Sequence, residues 1–424
     1  MGAFLARLER MDRDVTDSER LDQIGALERV KGAAAAAQAR VTADFDVSRR
    51  AAEQAAGVPA SRRGRGVGSE VALARRESPA RGSRHLGLAT ALVREMPCTM
   101  AALSTGLITE WAATLICQET AILTRADRQA VDAELGPELS TMSDLQIAKA
   151  ARAAGYRLDP ASAVRRVRGA VADRRVTCRP APDCMARVSA LLPVAQGVAV
   201  FAALDAAAKS ARAAGDERSR GQVMADTLVT RVTGQARAQD VPIMVNLVMT
   251  QPALLGQDDT PAHLQGFGPV PADLARDLVT GAQSRSGLRR LFASTDRRRL
   301  VAMESPRRTF PRSLADFIAL RDQACRTPYC DAPIRHTDHV VPAARGGPTS
   351  ERNGQGLCER CNYVKALPGW SARADETSGG RHEVVLTTPT GHTHTSTAPP
   401  PLGHGAIPRD VSPVERRIRL LLAA

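Results

Sequence analysis

The sequence predicts a mainly α-helical N-terminal and central region with minor antiparallel β structure, followed by a small C-terminal module held by four cysteines. Three observations carry this. Long Ala-rich stretches place apolar residues at near-helical spacing, period-two patterning is confined to short segments beside turn residues, and four of the eight cysteines fall within residues 325–361. With 424 residues and 43% hydrophobic content, the chain is long enough for two or three cored domains. The same numbers exclude a collagenous, wholly disordered or small disulfide-stapled protein.

Residues 1–56 read as N-terminal helices, either long single helices or a coiled hairpin. The stretch has no proline, and Leu5, Leu8, Leu21, Ile24, Leu27 and Val30 recur at helical intervals. Residues 57–84 read as an Arg/Gly-rich linker. Seven arginines there face only Glu70 and Glu77, which suits a solvated linker, with a phosphate-contacting arm as the alternative. Residues 85–305 read as a mainly helical domain, with starts at Ser104, Thr124 and Ser143 and breaks at Gly106, Gly136 and Gly155.

Within that domain, residues 176–192 alternate on either side of a Pro-Ala-Pro-Asp turn and predict a β-hairpin. Residues 194–208 and 218–234 predict helices, 243–249 a strand, 271–280 a helix and 288–303 a second hairpin. Arg220, Gln222 and Asp226 share one predicted helix and are read as structural polar groups. No Gly-rich phosphate loop, Gly-x-Ser-x-Gly or His-Glu-x-x-His is present.

The formal charge of +13 favours polyanionic partners such as nucleic acid. Only four of the 58 cations are lysine (Lys31, Lys149, Lys209 and Lys365), so GC-rich codon usage is a second source of the excess arginine. Charged residues from Arg7 to Asp14 interrupt any secretory signal, and the longest uncharged runs fall short of the ~20 apolar residues of a membrane span. The expectation is a cytoplasmic protein with no membrane partner.

The informative stretch is residues 312–372. Cys325 and Cys330 form a C-x4-C pair, Cys358 and Cys361 a C-x2-C pair, and 27 residues separate them. Two such turns deliver four thiolates to a tetrahedral Zn²⁺, and a module with little core gains its stability from that metal. Four buried thiols or two disulfides are the alternatives, and disulfides suit an oxidising compartment instead. Between the pairs lie Asp338-His339, a Pro-x-x-x-Gly-Gly turn and Asn353; after the second pair come Asn362 and Lys365. A carboxylate beside an imidazole suits phosphodiester hydrolysis, because the carboxylate holds a hard divalent cation while the imidazole deprotonates water.

This stretch resembles the HNH, or ββα-metal, endonuclease motif in a zinc-stapled form. The resemblance implies a hairpin starting at Asp338-His339, a loop bearing Asn353, and a helix from about Glu359 carrying Asn362. It implies His339 as general base, Asp338 and Asn362 as holders of a catalytic Mg²⁺ or Mn²⁺, and Asn353 as the residue orienting His339. The last position is Asn362 rather than histidine, an H-N-N version whose amide is a weaker, uncharged ligand. His336 reads as either a ligand or a solvent-facing strand residue, and Arg345 and Lys365 as either phosphate contacts or ordinary surface cations. Upstream, the segments at residues 218–229 and 313–322 are similar to the actinobacterial domain-of-unknown-function 222 proteins, which join a mostly helical region to such a module.

The resulting expectation is a metal-dependent endonuclease acting on DNA. Duplex is favoured over single strands because three Tyr, two Trp and seven Phe offer few stacking platforms. A homodimer is expected if both strands are cut. The alternative is a catalytically vestigial, zinc-stapled nucleic-acid-binding protein of mobile-element origin. Residues 373–424 read as a C-terminal β-hairpin and a basic tail through Arg416, Arg417 and Arg419.

Overall fold

The computed structural model describes residues 2–234, 247–281, 309–376 and 380–400. The chain divides into two units, Met1–Ala170 and Val171–Ala424.

In the first unit, α1 (Gly2–Glu9) precedes α2 (Asp17–Ala55), one 39-residue helix where a coiled hairpin was the alternative. Thr16 sets its start: the hydroxyl accepts from Glu19 N, and the Glu19 carboxylate accepts from Thr16 N at 2.8 Å. This reciprocal cap satisfies two N–H groups that the helix cannot. One face of α2 is narrow, with Gly32, Ala35, Ala36, Ala39 and Ala43 buried, so neighbouring helices approach its backbone closely.

The expected linker over residues 57–84 is corrected by two packed helices, α3 (Val67–Arg75) and α4 (Pro79–Glu95). Val67, Val71 and Leu73 are buried. Glycine is needed there for contact rather than flexibility: a Cβ on Gly82 would lie 2.2 Å from the Gly68 carbonyl oxygen. Arg75 of this segment pairs with Glu77 and Glu110 at 3.7 and 3.4 Å, and its buried Glu70 pairs with Arg49 of α2 at 3.3 Å. Composition alone could not separate helix-packing glycines and paired arginines from a solvated linker.

α5 (Pro97–Ser104), α6 (Glu110–Glu119), α7 (Arg125–Leu135), α8 (Asp144–Leu158) and α9 (Pro160–Ala172) follow. Thr124 and Ser143 cap α7 and α8 as their positions predict. Ser104 ends α5 instead of starting a helix, because Thr109 caps α6; Gly155 lies inside α8. The core gathers Leu92, Met96, Leu103, Ile116, Val131 and Ile147. Asp132 is buried there, and its carboxylate accepts from Cys98 N at 2.7 Å and from Thr99 N at 2.9 Å. It supplies from α7 the cap that Met96 cannot give α5.

In the second unit, β1 (Arg175–Ala181) and β2 (Met185–Leu191) form the expected hairpin. α10 (Val194–Ala213) and α11 (Arg220–Thr233) come next. Gln222 completes the Ser219 cap of α11, Arg220 pairs with Asp205 and Arg218 with Asp226, each at 2.6 Å, so these groups are structural. β3 (Leu247–Val248), α12 (Gln251–Leu254), β4 (Ala262–Leu264), β5 (Gly268–Val270) and α13 (Ala272–Gly281) build a small sheet in the order β3-β4-β5 with two helices. The hairpin expected at 288–303 and the basic tail lie outside the described residues, and of the strand expected at 243–249 only β3 is described.

The last segment runs through α14 (Arg312–Asp322), β6 (His336–His339), β7 (Gly354–Leu357) and α15 (Glu359–Lys365) to β8 (Ser371–Glu376), β9 (His382–Thr387) and β10 (Thr393–Thr397). β6 pairs antiparallel with β7, and the other three strands order as β10-β9-β8, so a third strand joins the expected C-terminal hairpin. Buried polar groups pin that sheet to the module. The Arg326 guanidinium donates to the carbonyls of His382 and Ser396 at 3.2 and 2.6 Å, and His382 Nε2 lies 2.8 Å from the Arg352 carbonyl. Among the described residues, no helix is long and apolar enough to cross a membrane.

Asp132→Ala should destabilise the first unit by about 2–3 kcal/mol, since it removes a cap and strands two buried donors. Thermal unfolding followed by circular dichroism should show the loss, with Asp132→Asn intermediate. His382 gives a pH signature: burial holds its pKa down to about 4, against an ordinary 6.5. A base with a depressed folded pKa contributes stability that is complete above pH 6.5 and lost as the pH falls toward 4. About 2 kcal/mol should be gone by pH 5. Hydrogen exchange of β9 amides at pH 7 and 5 should register this, and His382→Gln should flatten the difference.

Candidate active site

The site is built on the β6–β7 ladder. Asp338 stands opposite Gln355 and His339 opposite Gly354. Successive side chains on a strand point to opposite faces, so the adjacent carboxylate and imidazole are directed to the two sides of the hairpin. On one side, Lys365 of α15 forms an ion pair with Asp338 and also donates to the His339 carbonyl. Asn362, partly exposed, precedes Lys365 by three residues on the same helix, the interval that places two side chains on one helix face. The structure thus brings Asp338 beside the helix that bears Asn362.

On the other side, His339 is buried, its ring centroid 4.6 Å from that of Phe310. Its Nε2 lies 2.9 Å from Thr349 Oγ1. Neither Phe310 nor Thr349 was singled out from sequence; an aromatic ahead of α14 and a threonine in a turn carry no spacing signal.

The expected role of Asn353 is corrected. Its side-chain oxygen accepts from Val341 N at 2.8 Å, and its amide nitrogen donates to the carbonyls of Val341 and Pro348 at 2.9 and 2.8 Å. Both N–H bonds and the acceptor are committed to loop backbone, so the amide does not reach the imidazole. Asn353 instead ties together the two ends of the turn that follows His339. Gly347 belongs to this closure, because a Cβ there would meet the Val341 carbonyl oxygen at 1.8 Å and Asn353 Nδ2 at 2.7 Å. Arg345 lies in the intervening 3-10 turn, exposed, and His336 is partly buried at the start of β6.

The four cysteines converge. One sulfur from each of Cys325, Cys330, Cys358 and Cys361 lies within 4.8 Å of the others. Cys330 is 3.9 Å from Cys358 and 3.8 Å from Cys361. Thiolates at about 2.3 Å from a tetrahedral zinc are about 3.8 Å apart, so the donor set fits that ion. The spacing is nearly twice a disulfide bond of about 2.05 Å, and all four thiols are free. Hydrogen bonding with Cys330 draws the Cys325 thiol down to about 7. Bonds from Cys325, Cys330 and Cys361 pull Cys358 below the usual thiol range, while bonds from Cys325 and Cys358 push Cys330 and Cys361 up. Such a cluster resists carrying four negative charges without a cation. Cys358 also caps α15, its sulfur accepting from Cys361 N at 3.4 Å.

Residues 24–322 match the family model described as Domain of unknown function (DUF222), and residues 325–365 match that of the HNH endonuclease. Two Mycobacterium tuberculosis H37Rv proteins are similar. Uncharacterized protein Rv3776 is 33% identical over 138 residues, covering 32% of this chain and 24% of the relative. Uncharacterized protein Rv2100 is 33% identical over 141 residues, covering 32% and 23%. The chain thus matches about a quarter of the length of these curated relatives. No solved structure matches. Because the first match spans well over half of its length, the chain belongs to the DUF222 family and carries, after that domain, an HNH endonuclease domain with a four-cysteine cluster.

Proposed function

We propose that the chain is a metal-dependent endonuclease that hydrolyses phosphodiester bonds in DNA, duplex in preference to single strands. The observation that carries the reading is the placement of Asp338 and His339 on opposite faces of one short strand, the carboxylate toward α15 and the imidazole in its own enclosed niche. The two groups then do different work without competing for one partner.

Asp338 and Asn362 would hold a Mg²⁺ or Mn²⁺. The fit rests on hard oxygen donors and on the pairing of Asp338 with the Lys365 ammonium, which marks this face as a position for positive charge. When bound, such a cation neutralises charge on the scissile phosphate and the leaving 3′ oxygen. His339 takes a proton from the attacking water at an imidazole nitrogen, and Thr349 and Phe310 hold the ring in place for that transfer. Asn353 positions His339 through the backbone of the turn rather than by direct contact. Lys365 is suited to follow the phosphate, since its ammonium already lies beside both strand residues. A structural Zn²⁺ on Cys325, Cys330, Cys358 and Cys361 would fix α15 against the hairpin, and with it the distance between Asp338 and Asn362.

The rival reading, a vestigial zinc-stapled nucleic-acid binder of mobile-element origin, draws on the neutral amide at Asn362 and on the carboxylate of Asp338 being already paired. One assay separates the two. Purified protein should nick supercoiled plasmid only with Mg²⁺ or Mn²⁺, and His339→Ala at equal zinc content should lower the rate by at least about 100-fold. DNA binding by both proteins with nicking by neither, in both metals and at low salt, would leave the binding module as the function. For the zinc site, Cys358→Ala should lose bound zinc in elemental analysis and expose the C-terminal module to protease while the helices of the first unit persist. Unchanged zinc content in that variant would overturn the ligand assignment.

A further inference from the structure

The hairpin of the second unit has two chemically different faces. Strand register places Arg175, Thr177, Arg179 and Ala181 of β1 on the same side as Leu191, Ser189, Arg187 and Met185 of β2. The opposite side carries Val176, Cys178, Pro180, Ala186, Val188 and Ala190. Neither strand has an acidic residue. Every residue of β2 is exposed, and in β1 only Thr177 and Ala181 are partly covered. Arg179 stands directly across from Arg187, and among the described residues neither guanidinium makes a hydrogen bond or an ion pair. Like charges facing each other on neighbouring strands destabilise a ladder, all the more in a lone two-stranded hairpin that covers no core. The pair is a liability to the hairpin unless an anion lies over it.

We infer that the Arg175, Arg179 and Arg187 face of this hairpin is a docking surface for the phosphate backbone of duplex DNA. The inference rests on the proposed nuclease function for its choice of polyanion, and on the hairpin alone for its location. Seven-residue strands span about 23 Å, and a two-stranded ribbon is a shape that the major groove admits. Arg175 and Arg179 lie four residues apart, about 13 Å along the strand, with Arg187 about 5 Å to the side of Arg179. Thr177 stands opposite Ser189 between them, adding two hydroxyl donors suited to phosphate oxygens. The hairpin is held at its turn: Cys184 packs against the cluster of Ala262, Val270 and Ala275, so the ribbon presents a face rather than a loose tip.

The test uses the full chain carrying His339→Ala, so that binding is read without cleavage, and a fluorescently labelled 30-base-pair duplex titrated over a salt series. Adding Arg179→Ser and Arg187→Ser should raise Kd about tenfold or more near 0.1 M salt and reduce the slope of log K against log salt by about two. The melting temperature should hold or rise, since a like-charge pair is relieved. Equal affinity and slope in the arginine variant would overturn the inference. So would a result in which Val176→Thr with Val188→Thr weakens DNA binding and the arginine pair does not. Association with a protein through the apolar face, with DNA binding unmoved by the arginine changes, is a further outcome against it. Plasmid nicking by the wild type is scored in parallel. Its absence beside arginine-dependent binding removes the nuclease reading and leaves this surface standing, whereas nicking with arginine-independent binding does the reverse.

Discussion

Four sulfur atoms within 4.8 Å of one another form the constraint on which the C-terminal module depends. Apart from Leu357, the buried residues of the local cluster are Cys325, Cys330 and Cys361 themselves, so apolar burial at this point is far below what a free-standing domain needs. Cys330 ends one knuckle, Cys358 caps α15 and Cys361 occupies its first turn, so one centre joins the chain before β6 to the helix after β7. The hairpin is thereby held at the register that sets Asp338 facing α15. A metal at this centre would be a folding element, and the chemistry of Asp338 and His339 would inherit its rigidity.

A second layer of constraint is polar and buried. Asp322, at the end of α14, accepts from Gly356 N at 2.7 Å and from Arg321 at 2.8 Å, with Arg326 3.6 Å away. Arg321 also donates to the Gly354 carbonyl at 2.7 Å, so the end of α14 grips β7 at both Gly354 and Gly356. Burial lowers the pKa of Arg326; two strand carbonyls accept from its guanidinium and Asp322 lies 3.6 Å from its Nε, which itself makes no hydrogen bond. Buried ion pairs are weak evidence for net stability, because desolvation offsets their attraction. Their effect here is directional: each donor has one geometry, and together they fix α14, β7 and the C-terminal sheet in a single arrangement.

How much of this was legible in sequence follows from the range of the interactions involved. The cysteine pairs and the 176–192 hairpin are written in contiguous spacing, and each matches the structure; the hairpin expected to start at Asp338-His339 instead has its first strand at His336–His339, so that pair ends the strand. Caps at Thr124 and Ser143 were legible for the same reason, whereas Ser104 offered an identical local signal at a helix end. The packing of α3 against α4 was not legible, because Gly68, Gly82 and paired arginines have the composition of a solvated linker until their partners are known. Asn353 was recognised as part of the site, but its partners lie 5 and 12 residues away in a turn whose shape sequence does not give. The third strand of the C-terminal sheet and the burial of Arg326 depend on contacts up to 70 residues apart.

These features place different demands on the arginines of a basic chain. Net charge alone assigns nothing, since Arg49, Arg75, Arg128 and Arg152 are consumed by Glu70, Glu110, Glu95 and Glu119 in the first unit. Arg218 and Arg220 are consumed likewise in the second. An arginine with a carboxylate within reach contributes little field beyond its own pair, and salt screens what remains. Arg179 and Arg187 differ because the ladder forces them together with no acid on either strand. That repulsion is a cost to the hairpin, which a docked polyanion would turn into an attraction. Unpaired arginines gathered on one face, more than the formal charge of +13, therefore decide where a polyanion is attracted.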